Sequence, residues 1–251
     1  MSVVELDVRD GVAWIYLNRP EKLNAIDDDV LDGLLEAVAD VEANDAVGAS
    51  VLSGRGRAFS AGGDITAMAA MDKSLFAATI GRYMEVAAAI HHAAKPMIAA
   101  VHGYVLAGGF ELALLCDLRF AAEGTVFGLP DTPLGLSPTS GMTHLLPRVV
   151  GLGRALELAL TAENLDAAEA LEIGLVTRLA APDALLDEAG RCAARIAAMP
   201  RSSVARTRRL LRESLDRSFA ETTTAELTSE VDCFLDPVAA ANLSAFATRK
   251  R

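Results

Sequence analysis

Two short stretches, Ala58-Phe-Ser-Ala-Gly-Gly-Asp-Ile65 and Val101-His-Gly-Tyr-Val-Leu-Ala-Gly-Gly-Phe-Glu-Leu112, each place small residues where an extended segment gives way to a helix. Where side chains shrink to Gly and Ala, the first backbone N–H groups of the helix are left uncovered, with the positive end of the helix dipole behind them. Two such junctions aimed at one point make an oxyanion hole. Glu111, three residues past Gly108, would then reach the atoms beside the bound oxygen.

Length and charge narrow the possibilities. At 251 residues the chain is long enough to bury a sizeable core. Its patterning reads as one core, residues 1–195, followed by a helical region, residues 196–251. The net charge of −11, from 23 basic and 34 acidic residues, argues against a general affinity for nucleic acid, which is bound through surplus Lys and Arg. A phosphorylated ligand must therefore meet a local patch. Cys116, Cys192 and Cys233 lie scattered among apolar neighbours, which suits buried thiols in a reducing compartment better than a disulfide frame or a metal site. A cytoplasmic protein without metal ligands is expected. The opening Met-Ser-Val-Val-Glu-Leu-Asp has neither the basic start nor the apolar run of a secretory signal, and no apolar stretch reads as a membrane span.

Periodicity supplies the elements. Residues 3–8 and 12–17, joined by Asp10-Gly11, read as a hairpin, and the apolar stripe from Ile26 to Val41 as a helix with Asp27, Asp28 and Asp29 in its first turn. A buried strand over 49–52, a variable helical region up to Ala94 and a strand over 97–101 follow. The helix from about Gly109 to Leu115 is apolar nearly all round, so Glu111 is a carboxylate in a buried helix. Short strands at 118–121 and 125–127 precede a Pro- and Gly-rich run over 129–141. From Thr143 onward nearly everything reads as helical, so the mixed sheet is expected first and the helices last.

Several blocks together resemble the enoyl-CoA hydratase/isomerase (crotonase) family: Asn18-Arg-Pro-Glu-Lys-Leu-Asn-Ala25, Ala58 to Ile65, Gly103 to Asp117, Phe127-Gly-Leu-Pro-Asp131, Leu146-Pro-Arg148 with Gly151, and Ala168 to Val176. The resemblance implies an α/β fold, a crotonase-like spiral of ββα units with a C-terminal helical trimerisation region. It implies a homotrimer or a dimer of trimers. It also implies acyl-CoA chemistry: the amides of Gly63 and Gly108 hold the thioester oxygen, Glu111 activates the water that adds at Cβ, and Asp131 supplies or holds the other proton. Two carboxylates crowded around one water repel, so their protonation states separate into one acid and one base. No cofactor is implied, since coenzyme A enters as part of the substrate. For its nucleotide and pantetheine the resemblance nominates Lys22, Leu23, Ala25, Ala61, Asp64 and Ile65, with Arg19 and Arg57 as phosphate partners.

Two departures matter. The family's hydratases carry Glu where this chain has Asp131, and losing a methylene withdraws the carboxyl oxygens by roughly 1 to 1.5 Å. Hydration of a 2-trans-enoyl-CoA is the first expectation because two carboxyl side chains survive. Double-bond isomerisation, which needs one well-placed base, is the alternative, followed by thioester hydrolysis or C–C cleavage. The segment Ser137-Pro-Thr-Ser-Gly-Met-Thr143 also departs from the pattern, and Thr139 is no general base.

Blander readings stand beside these. The glycine pairs would also let a helix pack closely on a strand, Glu111 would also suit a buried ion pair with Arg119, and Asp131 would also serve as a turn cap. Ser60 mimics a nucleophile elbow without its first glycine, and Gly54-x-Gly56 is followed by Phe59 where a dinucleotide fingerprint wants a small residue. The arginines between Arg201 and Arg217 read as a solvated helix face with internal ion pairs. His91, His92, His102 and His144 read as structural, with His102 and His144 the two that would line a pocket.

Overall fold

A computed structural model describes residues 2–249. In chain order the elements are β1 (Val4–Arg9), β2 (Val12–Leu17), α1 (Asp28–Ala43), β3 (Ala49–Gly54), α2 (Ile65–Met68), α3 (Lys73–His92), β4 (Met97–Val101), β5 (Tyr104–Leu106) and α4 (Gly108–Leu115). Then come β6 (Leu118–Ala122), β7 (Val126–Gly128), α5 (Met142–Val150), α6 (Leu152–Thr161), β8 (Leu165–Asp166), α7 (Ala167–Glu172), β9 (Arg178–Ala180), α8 (Leu185–Ala197), α9 (Arg201–Glu213), α10 (Phe219–Phe234) and α11 (Pro237–Arg249).

The strands form two sheets. The larger has the order β1-β2-β3-β4-β6-β9, antiparallel only between β1 and β2, and the smaller has the order β5-β7-β8. Strand β2 shows why the large sheet sits in the middle of the fold. All six of its side chains are buried, and they alternate between two cores. Ala13, Ile15 and Leu17 join the cluster built on α1, α3 and α4, while Val12, Trp14 and Tyr16 join the one closed by Leu185, Ala189 and Ala193 of α8.

The expected order of sheet first and helices last needs correction. β9 returns after α7 to close the far edge of the large sheet, and β8 pairs with β7. Strands of two or three residues are too short for periodicity to register. Ile26 also lies outside α1: Asp27 caps the helix by accepting from the Val30 amide, and Ile26 forms a lone bridge with Gly63. No helix among the described residues is long and apolar enough to cross a membrane.

The basic helix α9 is not a plain solvated face. Arg208 is buried, pairs with Asp117 at 2.9 Å, and donates to the carbonyls of Ile90, His91 and Ala93 at the end of α3. Arg212 pairs with the same carboxylate at 2.9 Å and donates to Leu115 O at the end of α4. Two guanidinium groups thus cap two helix C-termini, where cations are favoured. Arg206 does make the expected surface pair, with Asp232.

Candidate active site

The chain from Phe59 to Asp64 runs between β5 on one side and residues 23–26 on the other. Its amides are almost all consumed. Phe59 N–H donates to His102 O, Ser60 to Tyr104 O, Ala61 to Leu23 O and Asp64 to Ile26 O, while Gly62 donates to the Ser60 hydroxyl. Gly63 is the exception. In its parallel bridge with Ile26 the two hydrogen bonds are made by its neighbours, Gly62 O and Asp64 N, so the N–H of Gly63 points the other way and has no partner among the described residues.

The second junction repeats this economy. Leu106 N–H donates to Ser60 O and Ala107 N–H to Gly128 O, and the ladder resumes at Glu111, which donates to Ala107 O. Gly108 begins α4, and its N–H has no acceptor among the described residues, as the first turn of a helix requires. The two open amides belong to touching segments: a methyl placed on Gly62 would lie 3.3 Å from the Gly108 nitrogen. Tyr83 of α3 stands against both, since a methyl on Gly63 or on Gly108 would fall 3.4 Å from its hydroxyl oxygen.

Ala107 makes the turn between β5 and α4 at φ 44° and ψ −121°, a region that a residue with a Cβ rarely enters. Such strain costs about 1 to 3 kcal/mol and persists only where the surroundings enforce it. We expect Ala107→Gly to raise the urea midpoint, because relief of the strain exceeds the roughly 0.5 to 1 kcal/mol that Gly adds through chain entropy. An unchanged or lowered midpoint would contradict a strained turn.

Gly63, Gly108, Glu111, Asp131 and Thr139 line one cavity of about 290 Å³. Its remaining walls are apolar and include Met68, Phe76, Ile80, Leu134 and Leu136. These come largely from α2 and α3, the region whose sequence carries no decisive signature. A larger cleft of about 600 Å³ lies between α9 and the sheet, but its charged groups Asp117, Arg208 and Arg212 are already paired with one another.

Glu111 is buried on the first turn of α4 and is not paired with Arg119, whose guanidinium donates to the carbonyls of Leu114, Cys116 and Leu175. Both oxygens of Glu111 are held by one residue: Thr139 N–H donates to Oε1, and the Thr139 hydroxyl donates to Oε2 at 2.9 Å. Burial pushes the carboxyl pKa up, while the Thr139 and Ser140 donors pull it down and the charge of Asp131 pushes it up again. Asp131 differs. It precedes a short turn over 132–134 without capping it, and its Oδ2 is buried with no hydrogen-bond partner. Burial raises its pKa, against a backbone hydrogen bond that lowers it.

The residues of the early loop fall into two groups. Arg19 is buried: it pairs with Asp27 at 2.8 Å and Asp64 at 3.5 Å and donates to Ala25 O, so it braces the loop from inside and is not offered to solvent. Lys22 is exposed and donates to Asp64 at 3.1 Å, a bond that leads the causes holding the Asp64 carboxyl below its usual range. Arg57 is exposed, and Ile65 stands half exposed at the mouth of the cavity that Ala61 also lines. Leu23 and Ala25 are half-buried beside them. His102 and His144 do not reach the cavity: His102 contacts Gly56 O, and His144 lies with His91 and His92 in a separate recess. Ser60 donates its hydroxyl to Asn24 O and accepts from Gly62, a structural role.

With two open amides and two carboxyl groups on one cavity, comparison with known proteins becomes informative. The family described as enoyl-CoA hydratase/isomerase matches residues 7–250. The chain belongs to the enoyl-CoA hydratase/isomerase family. A probable enoyl-CoA hydratase of Rhizobium meliloti is 40% identical over 218 residues, covering 86% of this chain and 83% of that protein. The crotonyl-CoA hydratase of Syntrophomonas wolfei is 40% identical over 195 residues, 76% of this chain and 74% of that one. A crystal structure of an enoyl-CoA hydratase from Mycobacterium smegmatis superposes with a TM-score of 0.93 at 32% identity, covering 98% of this chain and 96% of that one. The fold is therefore that of the crotonase-type hydratases.

Proposed function

We propose that the protein hydrates the 2,3 double bond of an enoyl-CoA. The observation that carries this is the pair of unpartnered amides, Gly63 and Gly108, on the same cavity as Glu111 and Asp131. Donors preset for a developing oxyanion are worth far more than their ground-state bonds, because nothing reorganises as charge moves onto the thioester oxygen. Polarisation of that carbonyl makes Cβ electrophilic. Glu111, whose Thr139 and Ser140 donors favour the carboxylate against the burial that raises its pKa, takes the proton from the attacking water. Asp131, whose far oxygen has no donor and whose burial favours the neutral acid, delivers a proton to Cα.

Coenzyme A then lies along Leu23, Ala25, Ala61, Asp64 and Ile65, with Lys22 and Arg57 facing solvent as phosphate partners and Arg19 bracing Asp64 behind them. No separate cofactor takes part. The C-terminal helices present Leu227, Phe234 and Leu235 at 65–71% exposure, apolar surface that suits association of identical chains into a trimer or a pair of trimers. A cytoplasmic location agrees with the free thiols of Cys116, Cys192 and Cys233.

Incubation with crotonyl-CoA tests the proposal: the absorbance of the conjugated thioester falls with time, and an intact fold without turnover overturns it. The isomerase alternative draws on Glu111 being the one carboxylate of the pair held by donors. It requires that a 3-enoyl-CoA gain conjugation at a rate exceeding hydration.

Asp131→Asn supplies a sharper check. The variant keeps the shape and loses the acid, so kcat falls about 100-fold or more. Stability does not fall with it, because the change removes the charge of a half-buried carboxyl group whose Oδ2 has no partner. A parallel loss of the urea midpoint and of activity would make Asp131 a structural residue.

A further inference from the structure

Thr139 stands out as the one residue in the cavity whose main chain and side chain converge on the same carboxylate. It is 28 positions from Glu111, yet its N–H meets Oε1 and its hydroxyl meets Oε2. Its neighbours are shaped for this. Ser140 and Gly141 follow at φ 51° and 76°, two successive left-handed residues that turn the chain into α5. The left-handed turn halts the loop over 137–141 with Thr139 facing Glu111, and Ser140 is buried although its backbone is strained.

We propose that the Thr139 hydroxyl is a positioning group for this reaction, fixing the second oxygen of Glu111 so that the carboxylate keeps one orientation until it takes the proton from water. The proposal rests on Glu111 being the base. A backbone amide alone would hold Oε1 and leave the carboxylate free to pivot about that bond. The hydroxyl removes the pivot. A carboxylate has about four acceptor positions; Thr139 occupies two and the Ser140 hydroxyl stands beside them, which leaves room for a water. The hydroxyl's bond to the charged form also favours ionisation, which burial and the nearby Asp131 oppose. Thr139 is thus a positioning residue: it acts on the reaction through Glu111.

The test compares Thr139→Val, which keeps the N–H and the shape but loses the hydroxyl, with Thr139→Ser, which restores the hydroxyl. For crotonyl-CoA hydration we expect Thr139→Val to lower kcat about 10- to 100-fold, the range set by one hydrogen bond to a charged group. KM should stay within about threefold, since valine keeps the shape of the wall and the lost bond is one to Glu111. The acidic limb of the kcat–pH profile should move to higher pH, because loss of a donor to the charged form raises the pKa of the base. Thr139→Ser should recover most of kcat and return the limb. Infrared titration of the Glu111 carboxyl in substrate-free protein, with Glu111→Gln identifying the band, should show the same upward shift in Thr139→Val. If Thr139→Val folds poorly, Thr139→Ala, which also retains the N–H, takes its place with the same expectations. Wild-type kcat with an unmoved limb in the hydroxyl-free variants overturns the proposal, as does a Thr139→Ser variant as slow as Thr139→Val. Substantial activity in Glu111→Gln would instead remove the assignment of the base, a separate failure read from a separate variant.

Discussion

Glu111→Gln should lower the hydration rate by two to four orders of magnitude while leaving the protein folded. The magnitude is that of removing a general base from a position where it takes a proton in the transition state. The amide is nearly the same size, and its oxygen still accepts from Thr139, so little of the first turn of α4 is disturbed. Its nitrogen is a donor, so it faces the Thr139 hydroxyl, which turns round to accept from it. Two charge-assisted bonds become neutral ones, a loss offset by relief of a buried charge beside Asp131. Measurement of kcat with crotonyl-CoA beside a urea titration separates the two effects. A variant of wild-type rate would end the role assigned to Glu111.

Gly62→Ala should be almost as costly, although residue 62 supplies neither of the open amides. Its φ is +92°, which an L side chain rarely adopts, and the added methyl would lie 2.8 Å from Leu106 O and from the Ala107 Cβ. Backbone lies on the receiving side, so the segment carrying Gly63 must move away from the start of α4, or α4 from it. Either displacement separates the two donors. A shift of about 1 Å in such a pair costs on the order of 100-fold in rate, close to the loss of one oxyanion donor outright. We expect kcat/KM to fall by that factor, with about 2 to 4 kcal/mol lost from stability through strain and overpacking. The crystal structure of the variant is the direct check. Unchanged separation of the Gly63 and Gly108 nitrogens with full activity would show that the touching segments do not set the hole.

The backbone-limited parts of the site were the legible ones. Gly62, Gly63 and Gly108 are visible as small residues where an extended segment meets a helix, although the atoms a side chain would meet there, Leu106 O, the Met68 sulfur and Tyr83, come from other parts of the chain. Glu111 is legible for the related reason that an acid in an all-apolar helical turn is rare. Thr139 is not. Its partner is 28 residues away, and nothing in Ser-Pro-Thr-Ser-Gly shows which carboxylate a hydroxyl will meet. Reading it only as incapable of base catalysis was correct and missed its contact. Arg19, Arg208 and Arg212 were misplaced for a similar reason. The resemblance offered Arg19 to phosphate and periodicity put Arg208 and Arg212 in water, whereas here their targets are carbonyl groups and acids brought in by other elements. Main-chain acceptors leave no mark in a sequence. The strands β8 and β9, of two and three residues, exist because neighbouring strands pair with them, which is again a property of the assembled sheet.

The caps made by Arg208 and Arg212 carry a practical consequence for anyone shortening this chain. Deleting α9 together with everything downstream takes both guanidinium groups from the Asp117 carboxylate and from the carbonyl ends of α3 and α4, the two helices whose Tyr83 and Glu111 line the candidate cavity. A truncated protein would keep its central sheet yet lose the register of its chemistry, so the tail acts as a distant keystone and not as a removable appendage.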